Sequence, residues 1–134
     1  TIAHPELKLV QATADQLPQS DSAADLLIFG FCLYLADRKD LFAIAAEADR
    51  VLADLGHLVI YDFDCDNPHK RAYSHLAGLF SYKLRYEEMF LWNPAYRLVS
   101  KTVTAHDGSS GSSIDDRVVV SILKKDVSAA WTLR

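Results

Sequence analysis

The chain has 134 residues, the size of one domain, and half of them are hydrophobic, so a core can form without disulfide or metal staples. A formal net charge of −4 with no Lys/Arg cluster argues against a nucleic-acid partner, which usually meets a basic stripe. Cys32 and Cys65 are too few and too far apart for a disulfide framework or a zinc site, no run is long enough to span a membrane, and the expectation is a reducing, cytoplasmic setting with no membrane partner and no metal.

In chain order, residues 7–11 (LKLVQ) are short and apolar and read as a strand, followed by a polar stretch with Pro18. Residues 25–29 (DLLIF) form a continuous apolar run without alternation, the pattern of a strand covered on both faces. Beyond it, Leu41, Ile44, Ala45, Ala48, Val51 and Leu52 recur at helical spacing. Asp37 is placed to cap that helix, Asp40 to face its dipole and Gly56 to stop it. Residues 57–63 (HLVIYDF) are another apolar strand. Strand, helix and strand joined by short turns predict a parallel βαβ unit in an α/β fold.

The pattern then changes. Residues 66–75 are polar and turn-rich, and periodicity predicts a short helix over 84–91, ended by Pro94. Residues 96–105 and 116–125 are rich in β-branched residues and predict an antiparallel hairpin around the Gly/Ser-rich loop 106–115.

The segments TADQLP, ADLLIFGFCLYLAD and ADRVLADLGHLVIYDF, in this order and spacing, resemble the second half of a class I S-adenosylmethionine-dependent methyltransferase. That family has an acidic-Ala-x-x-Leu-Pro turn after its third strand and an aspartate opening its fourth. A helix ending Arg-Val-Leu-x-x-Gly-Gly leads into its fifth strand, and an antiparallel pair closes the sheet. The resemblance covers residues 7–125 and implies a partial Rossmann-like sheet, with parallel strands and a C-terminal antiparallel hairpin. It implies S-adenosylmethionine as cofactor and a small-molecule methyl acceptor as partner. In such sheets the ligand sits outside the carboxyl ends of the strands, so Phe29, Gly30 and Phe31 would face the methionine part of the cofactor, with Gly30 allowing close backbone approach. Thr13 and Ala14 would face the adenine edge, Ala14 through its N–H; the family usually has an aspartate where Thr13 stands. The family's Gly-Gly is Leu55-Gly56 here.

The family's glycine-rich loop and ribose-binding acid belong to its first two strands, and no G-x-G occurs in this chain. The expectation is therefore a single domain, residues 1–134, forming the carboxyl-terminal portion of a methyltransferase. The absent strands would lie between LKLVQ and DLLIF, a gap that the linker can bridge, since ~13 residues reach about 40 Å. The free side of DLLIF then lacks a ladder partner, and association of the chain through that edge is expected.

The remaining candidates carry competing readings. Tyr34 lines the acceptor pocket or packs in the core. Asp62 supplies a substrate-side carboxylate or forms a turn. Asp62, Asp64 and Asp66 alternate like a calcium loop, but Asn67 and Tyr73 stand where its glycine and glutamate belong, and a solvated strand end is the better reading. His69 and His75 read as exposed loop residues. Tyr82, Tyr86, Phe90 and Trp92 form an acceptor lid or, somewhat more in keeping with their spacing, pack a helix on the sheet. No nucleophile or base is identified, as methyl transfer from an activated sulfonium depends mainly on positioning. The rival function is a catalytically inactive, methyltransferase-derived binding or oligomerisation module. A nucleotide-binding α/β domain of another kind would need a phosphate loop that this chain lacks.

Overall fold

The computed structural model describes residues 6–105 and 117–134; the Gly/Ser-rich loop 106–115 lies outside the described residues. Strand β1 (Ala24–Gly30) leads through two 3₁₀ turns, Leu33–Leu35 and Arg38–Asp40, to helix α1 (Leu41–Val51) and strand β2 (Leu52–Phe63). A separate hairpin follows, β3 (His69–Ala72) with β4 (Phe80–Lys83). The short helix α2 (Glu88–Leu91) precedes strands β5 (Tyr96–Ala105) and β6 (Arg117–Lys125), and one turn of helix, α3 (Val127–Ala130), ends the ordered elements.

The main sheet has the order β1-β2-β6-β5. β1 and β2 run parallel, with Leu26 opposite His57 and Gly30 opposite Tyr61, while β6 runs antiparallel to both β2 and β5. This is the predicted βαβ unit and C-terminal hairpin. Asp37 caps the turn before α1 by accepting from the Lys39 N–H at 3.0 Å, so the first turn is 3₁₀ and the α-helix begins at Leu41.

Residue alternation in β2 and β6 explains why one sheet face holds the core. Leu58, Ile60 and Asp62 of β2 sit beside Val119, Ser121 and Leu123 of β6, all buried, whereas Val59, Tyr61, Val120 and Ile122 on the other face are half-buried. Phe29 joins the buried face, where Ile44 and Ala48 of α1, Tyr86, Phe90 and Tyr96 complete the cluster.

Several expectations are corrected. Residues 7–11 form no strand, and Leu9 is 80% exposed, because no described strand offers this apolar run a ladder partner. β1 is not covered on both faces: Leu26 and Ile28 are 55% and 58% exposed on the open face. The helix stops at Val51, well before Gly56. Its C-terminal carbonyls are capped from β6, where the buried Lys125 Nζ donates to Asp49 O (2.7 Å) and Leu52 O (2.9 Å), an ammonium at the negative end of the helix dipole. The polar segment 66–75 contributes β3, whose polar residues suit a two-stranded hairpin largely open to solvent. The helix expected over 84–91 is confined to Glu88–Leu91.

Gly56 has a packing role in place of a helix stop. A Cβ there would lie 2.8 Å from both the Ala53 carbonyl oxygen and Leu52 Cδ1, and 3.0 Å from Asp25 O across the sheet. At Gly30 a Cβ would meet nothing within 4 Å. Gly56→Ala is therefore expected to lower stability by ~2 kcal/mol in denaturant unfolding, and Gly30→Ala by no more than about 0.5 kcal/mol. Equal losses at the two positions would contradict this packing.

Candidate functional site

The carboxyl ends of β1 and β2 carry a turn with an uncommon backbone. Phe31, directly after β1, has φ of 58°, the left-handed region that costs a non-glycine residue roughly 1–2 kcal/mol. Two bonds hold it there. Its N–H donates to Tyr61 O at 2.7 Å, continuing the β1–β2 ladder. One turn on, the Leu33 N–H donates to the Asp62 carboxylate at 2.8 Å, and the Phe63 N–H donates to the other oxygen of that carboxylate, also at 2.8 Å.

Asp62 is fully buried. Burial pushes its carboxyl up to about 6, against the opposing effect of the backbone N–H groups of Phe63, Leu33 and Tyr34 and the Lys83 charge. The strained turn directs Phe31 into an aromatic cluster. Its ring centroid lies 4.9 Å from those of Tyr34 and Phe63 and 5.3 Å from that of Tyr61. Tyr34 meets Phe63 edge-on at 5.2 Å and Tyr73 at 6.4 Å.

Two cavities flank this point. One, of about 740 Å³, lies between the turn and the β3–β4 hairpin, with Phe31, Tyr34 and Phe63 on one side and Arg71, Tyr73, His75, Ser81 and Lys83 on the other. The second, of about 610 Å³, lies along β1 and is lined by Thr13, Ala14, Leu17, Phe29 and Cys32 among others. Gly30 falls between the two sets in the chain and leaves open space beside its backbone.

The loop bearing Thr13 and Ala14 is pinned to α1 by two charged side chains. Glu47 accepts from the Leu17 N–H at 2.7 Å. Arg50 donates to Leu17 O at 3.1 Å and to Asp21 Oδ1 at 2.9 Å, and its Nε donates to Glu47 at 2.7 Å. The Arg50 partnership, together with the Leu17 N–H, holds the Glu47 carboxyl down at about 2.

The sequence candidates thus separate into two groups. Thr13, Ala14 and Phe29 share the cavity along β1, while Phe31 and Tyr34 line the aromatic one. Asp62 lines neither; its oxygens are turned to the backbone N–H groups of the turn, so it shapes the site from beneath. Asp64 pairs with Lys101 and Arg117, and Asp66 with Arg117, while Asp62 is taken up by backbone N–H groups; the expected solvated strand end is corrected, since Asp62 and Asp64 are buried and only Asp66 is exposed. The aromatic lid is not formed. Tyr86 and Phe90 are buried in the core, Tyr86 donating to Tyr82 O at 2.7 Å, and Trp92 is 75% exposed away from the aromatic cavity.

Sequence reasoning missed Arg71, Tyr73, Ser81 and Lys83, which reach the cavity only because β3 pairs with β4, and it missed the clamp role of Glu47 and Arg50. Glu47 and Arg50, three residues apart on the amphipathic helix, were the available signal for the clamp.

The fold is similar to part of the fold of solved S-adenosylmethionine-dependent methyltransferases. A methyltransferase from Methanosarcina mazei superposes with a TM-score of 0.64 at 14% identity, covering 86% of this chain and 65% of that one. The 1,6-didemethyltoxoflavin-N1-methyltransferase of Burkholderia thailandensis, solved with 1,6-didemethyltoxoflavin and S-adenosylhomocysteine bound, gives 0.65 at 17%, covering 87% and 50%. The cyclase SpnF gives 0.62 at 13%, covering 87% and 54%. The chain therefore spans about half to two thirds of the length of these structures. No protein-family profile and no curated protein sequence matches it.

The raised Asp62 carboxyl makes a pH prediction. The folded state binds this proton more tightly than the unfolded chain, whose carboxyl has the ordinary value of 3.8. The resulting contribution to stability is present below about pH 4 and is lost as pH rises toward 6, amounting to about 3 kcal/mol across that window. Asp62→Asn removes the titration while retaining one acceptor oxygen. The stability difference between the parent protein and this variant should therefore change in that window, to the parent's disadvantage as pH rises. A difference that does not vary with pH would contradict the assignment.

Proposed function

We propose that the chain supplies the carboxyl-terminal part of a methyltransferase site, with the cofactor S-adenosylmethionine along β1 and a small-molecule acceptor in the aromatic cavity. The observation that carries this reading is the junction at Phe29-Gly30-Phe31. Phe29 and Phe31, on either side of Gly30, line two separate cavities, and a Cβ at Gly30 would meet nothing within 4 Å. When bound, the cofactor supplies a methyl group already activated on a sulfonium.

The protein's part is placement. Thr13, Ala14 and Phe29 would hold the adenosyl side, Gly30 would admit the ligand close to the backbone, and Phe31 and Tyr34 would exclude water on the acceptor side. The cavity along β1 fits the cofactor only in part. Its wall is mainly apolar, with Thr13, Gln19 and Cys32 as its polar side chains, and it offers neither a carboxylate for ribose hydroxyls nor a cation for the methionine carboxylate. The bound state of the Burkholderia neighbour supports a small-molecule acceptor.

Each of those two charge-assisted contacts is worth roughly 1.5–3 kcal/mol, and lacking both weakens binding by on the order of 10²-fold or more. Calorimetric titration of the chain with S-adenosylhomocysteine is thus expected to show binding only in the millimolar range. Micromolar binding would contradict the reading of a partial site.

The second reading, an inactive oligomerisation module, is favoured by the free edge of β1. Among the described residues no strand pairs on its far side, and Leu26 and Ile28 stand exposed beside the unpaired backbone. SpnF, a cyclase, also shows that this fold is not tied to methyl transfer. Sedimentation of the purified chain should reveal self-association that Ile28→Lys suppresses. A monomer with slow amide exchange throughout β1 would mean that the edge is satisfied internally.

A further inference from the structure

The wall of the cavity along β1 is held in place from outside that cavity. Residues 12–14 and 17–19 form much of the wall. They belong to the stretch 6–23, in which only Ala14 and Leu17 are half-buried and the other residues are exposed. Its local structure is a turn closed by the Gln16 N–H, which donates to Thr13 O at 3.0 Å. Leu17 follows directly, so whatever fixes Leu17 sets where Thr13 and Ala14 stand.

Side chains of α1 fix Leu17 in the way a neighbouring strand would. Its N–H donates to Glu47 Oε2 at 2.7 Å, and its carbonyl accepts from Arg50 Nη2 at 3.1 Å. The same Arg50 nitrogen donates to the same Glu47 oxygen at 2.9 Å, which closes a ring of hydrogen bonds around one residue. Arg50 Nε donates to the other Glu47 oxygen at 2.7 Å, so the guanidinium grips the carboxylate with two bonds and aims it at Leu17. Further along, Arg50 Nη1 donates to Asp21 Oδ1 at 2.9 Å, and the Arg50 carbonyl accepts from the Ser22 N–H at 2.8 Å. Each of these bonds between the loop and α1 ends on Glu47 or Arg50. Neither side chain lines the cavity.

We propose that Glu47 and Arg50 are positioning residues for a ligand they do not touch. Locked together, they present Leu17 and the Thr13–Gln16 turn to the adenosyl side of the cavity along β1. The ring works as a unit, since removing either partner frees one backbone group of Leu17 and releases the other side chain. Asp21, whose side chain is 81% exposed, holds Arg50 from outside the ring and is dispensable to it. The identity of the ligand, S-adenosylmethionine, rests on the methyltransferase reading.

The test titrates the chain with S-adenosylhomocysteine and compares the initial slope of the amide shifts at Thr13 and Ala14 among the parent, Glu47→Gln, Arg50→Lys, their double variant and Asp21→Asn. Amide hydrogen exchange is followed separately, without ligand. Glu47→Gln keeps the side-chain shape but not the charge, and Arg50→Lys keeps the charge but not the fork. Each is expected to lower the slope about tenfold and to speed exchange of the Leu17 amide about tenfold, with exchange in β2 and β6 unchanged. The double variant should lose no more than either single one, and Asp21→Asn should match the parent. An unchanged Leu17 exchange rate, an equal loss in Asp21→Asn, or losses that add in the double variant would overturn the proposal. So would faster exchange throughout β2 and β6, which marks general unfolding. If the parent shows ligand shifts that both single variants leave intact, the methyltransferase reading stands and the positioning role falls. If the parent shows none while Leu17 exchange responds as expected, the methyltransferase reading falls, and the role toward this ligand with it.

Discussion

A single buried carboxylate ties the end of β2 to the turn that follows β1. Asp62 accepts from Leu33 and Phe63 at 2.8 Å each, and without those bonds two backbone N–H groups near the core would lack partners. The bond to Leu33 closes the turn in which Phe31 is held at φ 58°, a conformation that its side chain disfavours. The cost of burying the charge appears as the elevated carboxyl value, and what it secures is geometry. Phe31 and Tyr34 face one cavity, Phe29 and Cys32 face the other, and Gly30 is left bare between them.

The rest of the fold supports that point from both sides. Lys125 caps the carboxyl end of α1 from β6, so the helix ends where β2 must start. Glu47 and Arg50, on the same helix, anchor the loop that brings Thr13 and Ala14 to β1. On the other side, Lys101 bridges Asp64 and Glu87, and Arg117 pairs with Asp64, fastening β5 and β6 to the segment that leads into the β3–β4 hairpin. The hairpin in turn brings Arg71, Tyr73 and Lys83 to the aromatic cavity. Strand order and charge placement thus build one site from elements spread along most of the described chain.

The βαβ unit was legible because its signals are local. Two apolar runs flank a helix with an apolar stripe, and Asp37 supplies the cap. Pairing decided what local signals could not. Residues 7–11 are as apolar as a strand yet pair with no strand among the described residues, while the polar residues of β3 become a strand because β4 lies beside them. Gly56 reads as a helix stop in sequence, but the helix ends earlier, where a lysine more than seventy positions later can reach its carbonyls. The same rule governs the site. Phe29-Gly30-Phe31 stands out in the chain, whereas the cationic half of the aromatic cavity depends on a hairpin register that periodicity does not reveal.

The proposal most in need of a test is that a ligand passes the open backbone at Gly30, which stands in the chain between Phe29 of one cavity lining and Phe31 of the other. An amide chemical-shift map of the chain with millimolar S-adenosylhomocysteine, recorded for the parent protein and for Gly30→Val, tests it most directly. A Cβ at Gly30 would meet nothing within 4 Å, so in a variant whose amide spectrum keeps the parent's fold any loss reports on the ligand. The account predicts shifts concentrated at Thr13, Ala14 and residues 29–32 in the parent and their marked reduction in the variant. Shifts located elsewhere, or a map that the valine leaves unchanged, would contradict it.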